Sequence, residues 1–286
     1  MNKLVFSVVA IVCAGVVSAA DYAWLADPLN GNWLGAANWT TGEWVADASN
    51  TAAFDVSSAT DVDVNGDVAV SGVTVRNADY TFSNGTLTVN GEFDVGAGAS
   101  ATVRSALLGT NKDRRFAKTG SGTLVVKGDA STTNVFARFA TRGGTTVLDG
   151  GVTKVTGPSD GPGETAVAGS FANTSRLEIT GGAQLLFTAS SSYLSNSGCD
   201  IVVSDGLFDC WSFNEFLNGF GDNNNTDKAK VGKITIRNKG VLRANQIRIA
   251  KVERTASHWT PDYGTINLET GGVLRVKDVL SGISVN

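Results

Sequence analysis

Ile266-Asn-Leu-Glu-Thr-Gly-Gly-Val-Leu-Arg-Val276 reads as an apolar-x-apolar strand, a glycine turn and a second apolar-x-apolar strand. The same order recurs in Leu177-Glu-Ile-Thr-Gly-Gly-Ala-Gln-Leu-Leu-Phe187, in Ile234-Thr-Ile-Arg-Asn-Lys-Gly-Val-Leu242 and in Thr145-Thr-Val-Leu-Asp-Gly-Gly-Val-Thr-Lys-Val155. Alternation over three to five β-branched or aliphatic residues, bounded by Gly, Asn or Asp, specifies short strands. Shorter runs such as Val62-x-Val64, Leu87-x-Val89 and Leu124-Val-Val126 extend the pattern upstream, and nothing after the first twenty residues runs at helical spacing. Imperfect repeats with one turn signature and irregular intervals predict a solenoid, in which each strand lies beside its equivalent in the next coil. Glycine supplies the left-handed conformations at the corners. Extra residues, such as Asn218 to Asp227, are expected to loop out from one corner. The alternative is an antiparallel β-sandwich, because the same turns can close hairpins.

Composition narrows the function classes. Glycine is 34 of 286 residues, and charged residues are 17%, below the usual ~25%. That combination fits neither a disordered chain nor a coiled coil. The net charge of −4 lends no support to a nucleic-acid partner. With one histidine and three cysteines, zinc chemistry and most histidine-based catalysis have little to work with.

Met1-Asn2-Lys3, the apolar run from Leu4 to Val17 and the small residues Ser18-Ala19-Ala20 follow the order of a secretory signal peptide. The run is shorter than the ~20 residues a membrane span requires. Cleavage is expected after Ala19 or Ala20. Residues 1–20 are thus read as a leader, residues 21–56 as a Trp-rich N-terminal cap, and residues 57–286 as the repeat region. No later segment is long and apolar enough to span a membrane, so a secreted or cell-surface location is expected.

Lys118-Thr-Gly-Ser-Gly-Thr-Leu-Val-Val-Lys-Gly128, followed by Gly143-Gly-Thr-Thr-Val-Leu-Asp-Gly-Gly-Val-Thr-Lys-Val-Thr-Gly157, resembles the autotransporter-associated β-strand repeat. The linker from Asp129 to Arg142 departs from that repeat, and Gly151-Val152 stands where Gly-Thr-Leu is usual. Gly31-Asn-Trp-Leu-Gly-Ala-Ala-Asn-Trp39 resembles the tryptophan-rich opening of surface proteins that carry such repeats. The resemblance implies an all-β, right-handed parallel β-helix on an exported protein of the bacterial outer-membrane surface, serving as a stalk or transport-assisting element without catalytic residues. No translocator barrel follows the repeats, and the strand pattern runs to the last residues, which reads either as a chain shortened at its C-terminus or as a relative that borrowed only the repeat.

Several residue groups are candidates for chemistry. Asp61-Val-Asp63-Val-Asn65-Gly66-Asp67 matches the first half of a calcium loop, but Gly72 stands at its twelfth position, where a bidentate Glu is needed. An alternating strand and an Asn-Gly turn account for it as well, so no metal or other cofactor is expected. His258, between Ser257 and Trp259 and near Asp262, reads as a loop histidine rather than a general base. Asp149, Asp205 and Glu269 sit at turn positions. Asn111-Lys-Asp-Arg-Arg115 reads as a solvated loop. The short Asp-Asp and Gly-His-Gly motifs of pectin-degrading β-helices are absent.

Trp24, Trp33, Trp39 and Trp44 admit two roles: a cap over the first coil, or a platform that stacks sugar rings. The leading expectation is a structural or adhesive stalk, not an enzyme, with surface polysaccharide or other surface proteins as partners. A carbohydrate-binding module on the four tryptophans and a β-helical polysaccharide lyase or hydrolase are the alternatives. The last two cysteines, Cys199 and Cys210, flank Ser204-Asp205. A hairpin there would let them bridge, whereas a solenoid corner would keep them apart.

Overall fold

A computed structural model describes residues 19–45, 47–58, 60–111, 115–157, 175–188, 191–196, 198–220, 231–251 and 263–281. The leader residues 1–18, His258 and its neighbours, and residues 112–114 lie outside them.

Alternation decides the backbone. In Asp79–Ser83 the side chains read exposed, buried, half-buried, buried, half-buried, and most other strands keep the same period of two. Each strand thus buries one face and leaves the other to water. Among the described residues every strand–strand pairing is parallel, which overturns the antiparallel sandwich, and the one antiparallel contact is an isolated bridge between Trp24 and Trp39. The fold is a parallel β-helix.

One hydrogen-bonded sheet holds nine strands, from Asp61–Asp63 through Arg176–Thr180 to Tyr263–Leu268. We call it row one. The other sheet holds fifteen strands and contains two rows, because long strands such as Asp67–Val75 and Val241–Lys251 turn from one row into the next. Row two includes Thr133–Phe136, Val152–Val155, Gln184–Phe187 and Leu207–Cys210. Row three includes Asp21–Ala23, Thr51–Phe54, Phe116–Thr119 and Phe139–Thr141, and later Ser191–Asn196 and Phe213–Phe220. The recurring strand–Gly–strand signature is therefore the corner from row one to row two.

Successive partner positions along row one are 20, 21, 23, 22, 31, 24, 33 and 32 residues apart. The repeat is irregular because corners differ in length, while the register is kept. The inward ladder Val62, Phe82, Val103, Val126, Leu148, Ile179, Val203, Ile236 stays buried from coil to coil. Phe54, Phe82, Phe93, Phe116 and Phe136 continue it as a line of touching rings, with centroid separations of 4.9, 6.1, 6.4 and 4.6 Å. Contacts of this size between rings add to the area they bury.

Two expectations need adjustment. Asn218 does not begin a loop: it lies in Phe213–Phe220, fully buried, and only residues 221–227 of the expected excursion fall outside the described residues. The stretch from Asp129 to Arg142 is not a bare linker, since it supplies Thr133–Phe136 to row two and Phe139–Thr141 to row three. Neither stretch shows the apolar alternation: Phe213–Phe220 mixes aromatic, amide and small residues, and Thr133–Phe136 and Phe139–Thr141 are only four and three residues long.

Asp205 turns the chain with φ of 57°, and its two arms enter different sheets. Cys199 and Cys210 are both buried and unbridged. Burial pushes the Cys199 thiol up to about 12, and Cys210 moves in the same direction for the same reason. We expect two free thiols in the denatured, unreduced protein and almost no reaction with a thiol reagent in the folded one. A denatured, unreduced sample with no titratable thiol would contradict the corner at Asp205.

Candidate functional site

The tryptophan-rich segment closes one end of the solenoid. Trp33 donates its backbone N–H to the Asp63 carbonyl at 2.8 Å, which lays residues 31–33 against the first strand of row one. Trp24 and Trp39 bridge across the start of row three. The four indoles pack on one another: Trp33 lies 5.3 Å from Trp39 and 5.4 Å from Trp44, and Trp24 lies 4.9 Å from Trp39. Trp33 also meets Phe54 and Phe82, at 5.1 and 6.1 Å. The Trp39 indole N–H donates to the Trp33 carbonyl at 2.8 Å. Trp24, Trp33, Trp39 and Trp44 are between 0 and 5% exposed, so they present no flat face on which a sugar ring could stack. Asn38, also buried, holds the loop above them by accepting from the Leu29 N–H and donating to Asn30 and to the Asn32 carbonyl.

A second constellation lies at the corner from row three to row one. Lys118 is fully buried. Its inward position continues a ladder that reads Tyr22, Ala52, Val73, Phe93, Lys118, Thr141. The Nζ donates to the carbonyls of Gly120, Gly122 and Gly143, at 2.8, 2.5 and 2.8 Å. All three ammonium protons are thus used, and the carbonyls come from two successive coils. Glycine is needed around it. Gly120 has φ of +71°, and a Cβ on Gly122 would sit 2.2 Å from the Gly96 carbonyl oxygen. A Cβ on Gly144 would sit 2.6 Å from the Lys118 Nζ itself. The Lys-x-Gly-x-Gly spacing therefore has a physical meaning: one cation in a corner that only glycines can line. Burial pulls the ammonium down to about 8, and the nearby Asp94 carboxylate opposes that shift. The group stays protonated at neutral pH.

The same corner is filled by other polar groups in other coils. Thr141 and Thr146 share a hydrogen bond of 3.0 Å. Further on, Asn196 accepts from the Cys199 N–H at 2.9 Å and donates to the Cys199 carbonyl and to Asn218. Asn218 donates in turn to the Thr265 carbonyl at 3.0 Å. The amides of Asn196 and Asn218 thus bond backbone groups at the corner, the N–H and carbonyl of Cys199 and the Thr265 carbonyl. Sequence reasoning missed them, although a lysine two residues before Gly-x-Gly was the available signal.

The remaining candidates fall into place as backbone features. In Asp61–Asp63, Val62 and Val64 point into the core, and Asn65 and Gly66 turn the corner with φ of 41° and 137°. Asp63 accepts from the Asn84 amide at 2.9 Å. Among the described residues, no three His, Cys, Asp or Glu side chains converge as a metal set would. Asp149 pairs with Lys127 at 3.1 Å, Asp205 is a corner residue, and Glu269 is exposed beside the last corner. Outward ion pairs run between coils, as in Arg176 with Asp200 at 2.5 Å and Arg243 with Asp209 at 3.1 Å.

Fold and sites together define a parallel β-helix, capped by tryptophans at one end, whose buried polar groups hold its corners. Comparison with family models, with curated proteins and with solved structures found no match.

Proposed function

We propose that the chain is a structural or adhesive β-helical stalk, secreted or at the cell surface, of the autotransporter-passenger kind. The observation that carries this reading is the use of the buried Lys118 ammonium. Its three protons go to backbone carbonyls at the very motif that resembles the passenger repeat, so the motif acts as a staple between coils. The buried tryptophans support the same reading, because a solenoid needs its first coil covered from water. Outward ion pairs between coils stiffen the faces modestly, since exposed pairs contribute little each. Surface polysaccharides or other surface proteins are the partners such a stalk would meet.

Protease shaving of intact host cells tests the location, and attachment of a deletion strain tests the role. We expect the protein to be cut on intact cells and the deletion strain to attach poorly. Retention inside the cell, or polysaccharide cleavage by the purified protein, would overturn the reading.

A further inference from the structure

Four of the six tryptophans are buried in the cap, and Trp259 lies outside the described residues. Trp211 differs from the four: it is 40% exposed, at the corner from row two to row three. That corner does not call for an aromatic. One residue past the last rung of row two, the five preceding coils carry Asn90, Thr110, Ala137, Thr156 and Thr188, and the next coil carries Asn245. An indole exposed where folding accepts a small or polar residue leaves apolar area in water and adds nothing to the core.

The indole is also held in place. Asp209 accepts from the Trp211 backbone N–H at 3.0 Å and from the Arg243 guanidinium at 3.1 Å. Arg243 in turn lies over the Trp211 ring, 5.0 Å from its centroid. The guanidinium covers one side of the ring, its charge balanced by Asp209, and the exposed area belongs to the rest. In the corner ladder Thr188 stands one coil before Trp211 and Asn245 one coil after.

We propose that Trp211 is the stacking platform of a saccharide site, which takes a neutral sugar ring of a surface polysaccharide by its C–H face while Asp209, Arg243 and Asn245 meet its hydroxyls. A fixed aromatic plane beside hydrogen-bonding groups of no net charge matches a ligand that is apolar on its ring face and hydroxylated at its edge. An extended peptide would need a free strand edge, but Leu207–Cys210 is bonded on both sides, to Gln184–Phe187 and to Val241–Lys251. A lipid surface needs a group of apolar side chains, and the other large ones exposed among the described residues lie within residues 29–45 and 268–279. The assignment deepens the adhesive reading and rests on it for the source of the sugar.

Affinity electrophoresis of the purified full chain tests the site, in native gels cast with galactomannan, xyloglucan or polygalacturonate. At least one of the neutral polymers, galactomannan or xyloglucan, should retard the wild type. Trp211→Thr, which puts in the residue type found at 156 and 188, should lose about tenfold in affinity. Trp211→Tyr keeps a flat ring and should bind within about threefold of wild type. Iodide quenching gives a second readout that does not depend on how well Trp211→Thr folds. The neutral polymer should shield wild-type indole emission from iodide, and the shielding should vanish in Trp211→Tyr.

No retardation by either neutral polymer, retardation by polygalacturonate alone, unchanged binding by Trp211→Thr, or shielding that persists in Trp211→Tyr would each refute the site. Cell attachment separates that failure from failure of the adhesive reading. Normal attachment by a Trp211→Thr strain beside poor attachment by the deletion strain removes the site and leaves the stalk. Normal attachment by the deletion strain removes the reading on which the site rests.

Discussion

Lys118→Met should lower the free energy of unfolding by about 1 kcal/mol, read as a shift in urea midpoint at unchanged slope. Methionine keeps most of the lysine's volume, so the loss is not a cavity effect. What disappears is the donor set. The carbonyls of Gly120 and Gly143 then face a thioether that donates nothing, while that of Gly122 keeps the Thr145 N–H at 3.1 Å. A buried carbonyl without a donor costs about 1–3 kcal/mol, so the two cost about 2–6 kcal/mol. Against this stands relief from burying an ammonium. Lowering its pKa from 10.5 to about 8 corresponds to about 3 kcal/mol. The carbonyls outweigh the relief. A gain in stability would mean that water reaches the corner and replaces the lysine.

The same residue fixes the sign of a pH effect. Between pH 8 and 10.5 the unfolded chain still holds the Lys118 proton while the folded chain has released it. The unfolded state then binds more protons, so this group's contribution to stability rises with pH across that window and falls as pH drops back through 8. The gap in stability between wild type and Lys118→Met should therefore widen from pH 8 toward 10.5, by at most about 3 kcal/mol. A gap that narrows over that window would show the ammonium to be favoured, not disfavoured, by its corner.

What could be read from the chain beforehand follows from where its regularity lies. The corner from row one to row two is short and nearly constant, as in Thr180-Gly-Gly-Ala183, so the flanking alternation repeats visibly. That signature carried the solenoid and the divergence of Cys199 from Cys210. Row three repeats far less clearly. Its strands include Phe139–Thr141, Ser191–Asn196 and Phe213–Phe220, which mix aromatic, small and amide residues and share no motif. Its exit to row one varies in length, and this variation sets the irregular interval between coils. There the interior accepts Lys118, Asn196 and Asn218, because the carbonyls of a wide corner need donors. Local sequence marks such residues as surface polar groups. Only the ladder, which places Lys118 beside Phe93, shows that they face inward.

Trp33→Ala should cost about 3–5 kcal/mol, the range for truncating a fully buried large aromatic side chain. Trp33 is 0% exposed and touches Trp39 and Trp44 in the cap, and Phe54 and Phe82 in the coils below. It is the ring that joins the cap to the aromatic line of the core. The effect should also be local. In a solenoid each coil contacts mainly its neighbours, so a damaged end can open while distant coils stay folded. Four of the six tryptophans lie in the cap, so its opening should red-shift most of the indole emission. Limited proteolysis should then cut within residues 21–56 and leave a stable fragment that begins near the first strand of row one, Asp61–Asp63. Trp39→Ala provides the comparison: it removes the indole that donates to the Trp33 carbonyl and a ring in contact with Phe54, but not the link to Phe82. It should open the cap at a smaller cost than Trp33→Ala. If instead both variants unfold the whole chain in one transition, the cap and the coils form a single cooperative unit, and the tryptophans act as the nucleus of the fold rather than as its lid.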